Sequence, residues 1–223
     1  MTGGRPSRAI TLAELAVVLL IFLADSRGYV FFSKTPILLL LGWASLRWRG
    51  QRWADVGLAR PQRWRRALLL GALGGVLSEA FALGVTQPLL ARLTGRQPDL
   101  SDFRPLVGNP TYLLLGLLLS WTLAAFGEEA VYRGYLMNRV ADLGPRTRGA
   151  WIASLFVVSV LFGFAHAYQG PAGVLEEGLA GLLLGLMYLG CGRNLVVPVV
   201  AHGLQDTIDL VLIFLGRFPG MQS

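Results

Sequence analysis

Apolar blocks close to the ~20 residues that cross a hydrocarbon core as a helix recur along this chain, separated by short stretches of arginine, proline and glycine. Read between that punctuation, they lie at residues 9–24, 29–46, 67–87, 111–140, 150–167, 174–190 and 195–215. Backbone N–H and C=O groups inside lipid have no water to bond, so segments of this length satisfy themselves as helices. The expected fold is therefore all-α, a polytopic transmembrane helix bundle of about seven spans. Composition agrees: 15% of residues are charged, against about 25% in a soluble domain.

The net charge of +7 is almost wholly arginine, since Lys34 is the single lysine. Because the arginines occupy loops between apolar blocks, they point to membrane lipid as partner and not to nucleic acid. With the N-terminus in the cytoplasm, that side receives fourteen basic residues and the other side six. The positive-inside rule then favours a multi-pass plasma-membrane protein with a cytoplasmic N-terminus. Arg5 and Arg8 before the first block imitate a signal peptide, but no small-x-small site precedes Asp25, so the block reads as a retained span. Cys191 is the lone cysteine, which excludes an internal disulfide and a multi-cysteine metal site. Residues 1–66 read as N-terminal spans with a basic cytoplasmic loop, and residues 67–223 as the core bundle of one membrane domain. Gly71 with Gly75 and Gly181 with Gly185 have the four-residue spacing that lets helix backbones approach closely.

Ionisable side chains in such spans need a reason, since Asp, Lys or Arg at mid-membrane costs at least ~2.5–3.5 kcal/mol on insertion scales. The candidates are Glu14, Glu79, Glu128, Glu129, Arg133, His166, His202, Asp206 and Asp209, with Glu176 and Glu177 at a span edge. Glu129 and Arg133 are spaced to pair along one helix face, while Glu128, rotated ~100° away, is free to point elsewhere. Alone, that cluster reads equally as a structural ion pair. The balance shifts because His166 and His202, the two histidines of the chain, also lie in apolar segments. His202 and Asp206 share a face, Pro198 is expected to kink their helix, and Asp209 is read as facing elsewhere. Counted inward from Arg139, Arg148 and Asn194, the depths are ~16 Å for Glu128, ~27 Å for His166 and ~12 Å for His202. His166 thus meets the others only if its helix tilts or starts later.

The ordered pattern Glu128-Glu129-x-x-x-Arg133, Phe162-x-x-x-His166 and His202-x-x-x-Asp206, the last preceded by Asn194-Leu195, resembles the CPBP family. That family is named for CAAX proteases and bacteriocin-processing enzymes and includes the Rce1-type prenyl endopeptidases. The resemblance covers residues 121–206, and Trp53-Ala-Asp-Val-Gly-Leu58 looks like a weaker family feature. It implies an intramembrane endopeptidase acting on membrane-associated proteins or peptides. Glu128 and His166 would activate water, His202 and Asp206 would stabilise the oxyanion, and Glu129, Arg133 and Phe162 would give structural support. The last position is often Asn in the family, and an ionised Asp206 is a poor oxyanion donor. A zinc ion on Glu128, His166 and His202 is the alternative chemistry, with a metal-free glutamate-type protease favoured. The rival functions are a proton- or ion-coupled transporter, in which the same groups form a relay, and a non-catalytic self-immunity or scaffold protein.

Overall fold

A computed structural model describes residues 8–219. They form seven long helical stretches: α1 (Arg8–Ser26), α2 (Thr35–Trp48), α3 (Trp64–Thr94), α4 (Pro110–Asp142), α5 (Arg148–Phe164), α6 (Gly170–Gly190) and α7 (Val196–Phe214). No strand occurs among the described residues, and Arg5 lies outside them. Each stretch coincides with one apolar block of the sequence. Five helical segments are long and apolar enough to cross a membrane; α2 and α5, at 14 and 17 residues, are shorter than that. The outer surface is apolar, with Leu19, Leu40, Leu114, Leu118 and Phe156 all more than half exposed. Such a surface is stable against lipid and not against water.

Local chemistry explains where several helices start. The Asn109 side chain accepts from the backbone N–H groups of Thr111 and Tyr112, and Pro110 occupies the first turn, so α4 begins with its free donors met. Thr147 does the same for α5. Pro198 is the third residue of α7, where no intrahelical N–H bond exists to lose. It therefore seats the first turn, and the kink expected from sequence has no cause at that position.

The core is built around α4. Val131, Tyr132, Tyr135, Leu136 and Met137 are buried against Val18 of α1, Leu38 of α2, Leu155 and Phe162 of α5, and Tyr188 of α6. The N-terminal spans therefore share one apolar core with the motif-bearing helices. Between Ser120 and Glu128, and again between Ala130 and Leu136, α4 is π-wound, with i→i+5 bonding in place of i→i+4. Helix α3 packs on α7 through Gly71 and Gly75; a Cβ at Gly75 would stand 2.5 Å from the Ala201 carbonyl oxygen. Gly181 similarly admits the Phe162 ring.

The basic end of the bundle is tied together by named bonds. Arg139 donates to Gln51 at 2.9 Å, and the Arg146 and Arg193 guanidinium groups stack on Trp151 at 5.2 and 4.9 Å. The Trp53–Leu58 segment is held there too. Tyr188 donates to the Val56 carbonyl, Asn138 to the Tyr188 hydroxyl, Asn194 to the Ala59 carbonyl and the Leu195 N–H to the Gly57 carbonyl. Gly57, at φ +114°, takes a conformation in which an L side chain would strike the Arg193 carbonyl.

Candidate active site

Helix α4 carries Glu128 and Glu129 at the junction of its two π-wound segments. Adjacent residues on a helix diverge by roughly 100°, and here they enter different surroundings. Glu129 is fully buried, and its Oε1 accepts from Arg133 Nη1 and from His202 Nδ1, the latter at 3.0 Å. Arg133 also donates to the Gly181 carbonyl at 2.8 Å, and its guanidinium lies 4.8 Å over the Phe162 ring. Glu128 is partly exposed, makes no side-chain hydrogen bond among the described residues, and opens on a cavity of about 370 Å³.

That cavity is also lined by His166, His202 and Asp206. His166 does not sit within a helix. Helix α5 ends at Phe164, and His166 lies in the turn before the short 3-10 segment Ala167–Gln169. Its Nδ1 donates to the Phe162 carbonyl at 2.9 Å, which leaves Nε2 as the free nitrogen. The depth count from Arg148 treats residues up to 166 as one straight helix; α5 ends at Phe164, and His166 lines the same cavity as Glu128 and His202. Phe162 serves both histidines, with its ring centroid 4.9 Å from that of His166 and 6.1 Å from that of His202.

His202 on α7 is buried between two carboxylates. Nδ1 faces Glu129, and Nε2 lies 3.5 Å from Asp206 Oδ1. Asp206 in turn accepts from the Ser120 hydroxyl at 2.7 Å through Oδ2. Sequence reasoning had no reason to select Ser120, because a hydroxyl on an apolar helix is unremarkable until its partner is known. Asp209 also lines the cavity, contrary to the reading that turned it away. Residues 202, 206 and 209 follow an i, i+4, i+7 spacing, which is a single helical face. Tyr168 and Gln169, and Phe103 from the short 3-10 segment Ser101–Leu106, add to the wall.

Glu14 and Glu79, which the sequence left without a role, are placed as well. Glu14 accepts from Arg49 at 2.8 Å and Ser45 at 2.9 Å, joining α1 to α2 away from the cavity. Glu79 is buried on α3 and lines a smaller neighbouring cavity.

Zinc needs ligands converging from three or four side chains. Among the described residues no three His, Cys, Asp or Glu side chains come together in that way. Nδ1 of His202 faces Glu129 and Nδ1 of His166 faces the Phe162 carbonyl, which leaves the Nε2 of each ring toward the cavity, with Asp206 beside that of His202. Glu128, His166 and His202 thus form no converged ligand set among the described residues, and chelation separates the two chemistries.

Fold and site together define a multi-pass helical membrane protein with a carboxylate and imidazole cavity enclosed by its bundle. Residues 110–208 match the family described as type II CAAX prenyl endopeptidase, Rce1-like, and this domain is consistent with a CPBP-family protease. At family level it supports an intramembrane endopeptidase. The chain is also similar to an uncharacterized 24.3 kDa protein of Escherichia coli, 29% identical over 196 residues that cover 84% of this chain and 82% of that protein. No solved structure matches the chain.

Proposed function

We propose that this protein is a glutamate-type intramembrane endopeptidase that hydrolyses peptide bonds of membrane-associated proteins or peptides, with Glu128 as its general base. The observation that carries the reading is the convergence of Glu128 from α4, His166 from the turn after α5, and His202 and Asp206 from α7 on one cavity. Of the two adjacent carboxylates, Glu128 is the one without a fixed partner and so the one able to accept a proton from water. The free Nε2 of His166 accepts a second hydrogen bond from the same water and orients it for attack. As the carbonyl becomes tetrahedral, a His202 ring protonated on both nitrogens donates to Glu129 through one and to the oxyanion through the other. Asp206, held by Ser120, faces that Nε2–H before substrate enters and yields it to the oxyanion as charge develops, a role that suits an aspartate where an oxyanion donor would need a proton of its own. Glu128 then returns its proton to the leaving amine.

The clustering of Arg139, Arg146 and Arg193 with the 49–63 loop at one end supports a cytoplasmic N-terminus and contact with lipid headgroups on that side. Purified protein incubated with a peptide library, with and without a chelator, is expected to cleave in both conditions, and Glu128→Ala to abolish cleavage. Undiminished cleavage by Glu128→Ala would sink the assignment. Loss of cleavage with chelator alone, restored by zinc, would replace the glutamate mechanism with a metal one. Proton flux in liposomes without cleavage of any peptide would favour a transporter.

A further inference from the structure

Adjoining the main cavity is a second one of about 170 Å³, lined by Glu79 of α3, Glu176 and Glu177 of α6, and Asp206 and Asp209 of α7. Glu176, Glu177, His202, Asp206 and Asp209 border both cavities, so the smaller is a side chamber of the larger. No lysine or arginine lines either among the described residues. Elsewhere the bundle supplies its membrane-level acids with cations: Arg49 for Glu14 and Arg133 for Glu129. Here the His202 ring is taken up by Glu129 and Asp206, and Glu79, Glu176, Glu177 and Asp209 have no ion-pair partner among the described residues, although a buried carboxylate needs a proton or a cationic partner.

A group of acids is not a site by itself, and a neutral residue adds the second observation. Gln87 is 4% exposed; its Nε2 donates to Glu176, which borders the chamber, at 2.6 Å, while its Oε1 has no donor at the wall of the main cavity. Glu79 and Asp209 lie within hydrogen-bonding reach of each other, yet Glu79 Oε1 and Asp209 Oδ1 receive no N–H or hydroxyl donor from the protein. The wall thus presents acceptors in excess of donors. Between them run Phe81, Leu179 and Leu183, an apolar lining suited to a methylene stem.

We infer that this chamber is a subsite for one cationic side chain, lysine or arginine, of the peptide whose bond is cut at Glu128. The inference rests on the endopeptidase reading and adds a substrate class to it. An ammonium brings three donors and a guanidinium five, all charge-assisted against carboxylates, and the stem lies along Phe81 and Leu183. Because His202 and Asp206 wall both cavities, a side chain held there fixes the backbone beside the reacting groups.

The test is direct binding by the full-length Glu128→Ala protein, which does not consume the peptide. A peptide series carries one lysine, or norleucine in its place, moved position by position. At one position lysine is expected to bind at least about tenfold tighter than norleucine, and Glu79→Gln or Asp209→Asn is expected to collapse that ratio. Two variants are used so that one failing to fold does not decide the matter. Equal affinity for lysine and norleucine at every position overturns the subsite, whether or not the wild-type protein cleaves. Displacement of the lysine peptide by zinc or calcium alone, through the same two carboxyls, overturns it in favour of a metal site. Selective lysine binding by a wild-type protein that cuts no peptide keeps the cationic site and removes the protease reading.

Discussion

Two of the polar clusters buried in this bundle differ in what they leave open. Between α1 and α2, each oxygen of Glu14 has a donor, Arg49 for one and Ser45 for the other, and no member of the group lines a cavity. Between α4, α5 and α7, half of the cluster is engaged within the protein, as Glu129 Oε1 takes both Arg133 and His202, while its buried Oε2 has no donor among the described residues and faces no cavity. The other half, Glu128 and the Nε2 face of His166, meets a cavity with its hydrogen-bonding capacity unused. A membrane-buried charge is therefore not in itself a sign of chemistry. The sign is unused hydrogen-bonding capacity that faces a cavity, as at Glu128 and His166 and not at the buried Arg49 Nη1 or Glu129 Oε2.

That contrast can be broken most forcefully at Glu128. Removing a general base typically lowers turnover by ~10²–10⁴-fold, so Glu128→Ala should lose at least ~10² in kcat/KM while its melting temperature in detergent stays near that of the wild type. His166→Ala and His202→Ala should each lose at least ~10² as well, because water orientation and oxyanion stabilisation carry terms of that order. The engaged half should respond in the opposite currency. Arg133→Ala strands the buried Glu129 carboxylate, which costs about 3–5 kcal/mol, and a sharp fall in folded yield and thermal stability is expected. An Arg133→Ala protein as stable as wild type would show that the two halves are not distinct. The smallest effect belongs to the first cluster. Glu14→Gln should destabilise by about 1–3 kcal/mol and leave kcat/KM of the folded fraction unchanged, measured after correction for active protein.

The helices were legible in the sequence because lipid makes hydrophobic length and helix the same statement. The pairing of Glu129 with Arg133 was legible for a similar reason: a four-residue spacing is local and survives any tertiary arrangement. Pro198 and Asp209 show where local reasoning slipped. The proline effect depends on which turn it occupies, and the α7 boundary decides that. Asp209 shares its face with His202 seven residues earlier, a relation that pairwise four-residue matching passes over. Ser120, Gln87 and Phe103 were beyond reach, because their roles exist only through partners 86 or 89 positions away or through cavity walls built from several segments. The turn that carries His166 was hidden by an apolar run continuing past the end of α5.

The short helices have a consequence for the surrounding membrane. At ~1.5 Å per residue, the 14 residues of α2 and the 17 of α5 span only ~21 and ~26 Å, less than the ~30 Å of a typical hydrocarbon layer. A bilayer thins beside short helices as one way of matching them, which brings headgroups and water closer to the cavity. The proposed hydrolysis is then expected to run faster in short-chain than in long-chain lipid, measured as turnover in vesicles of defined acyl length.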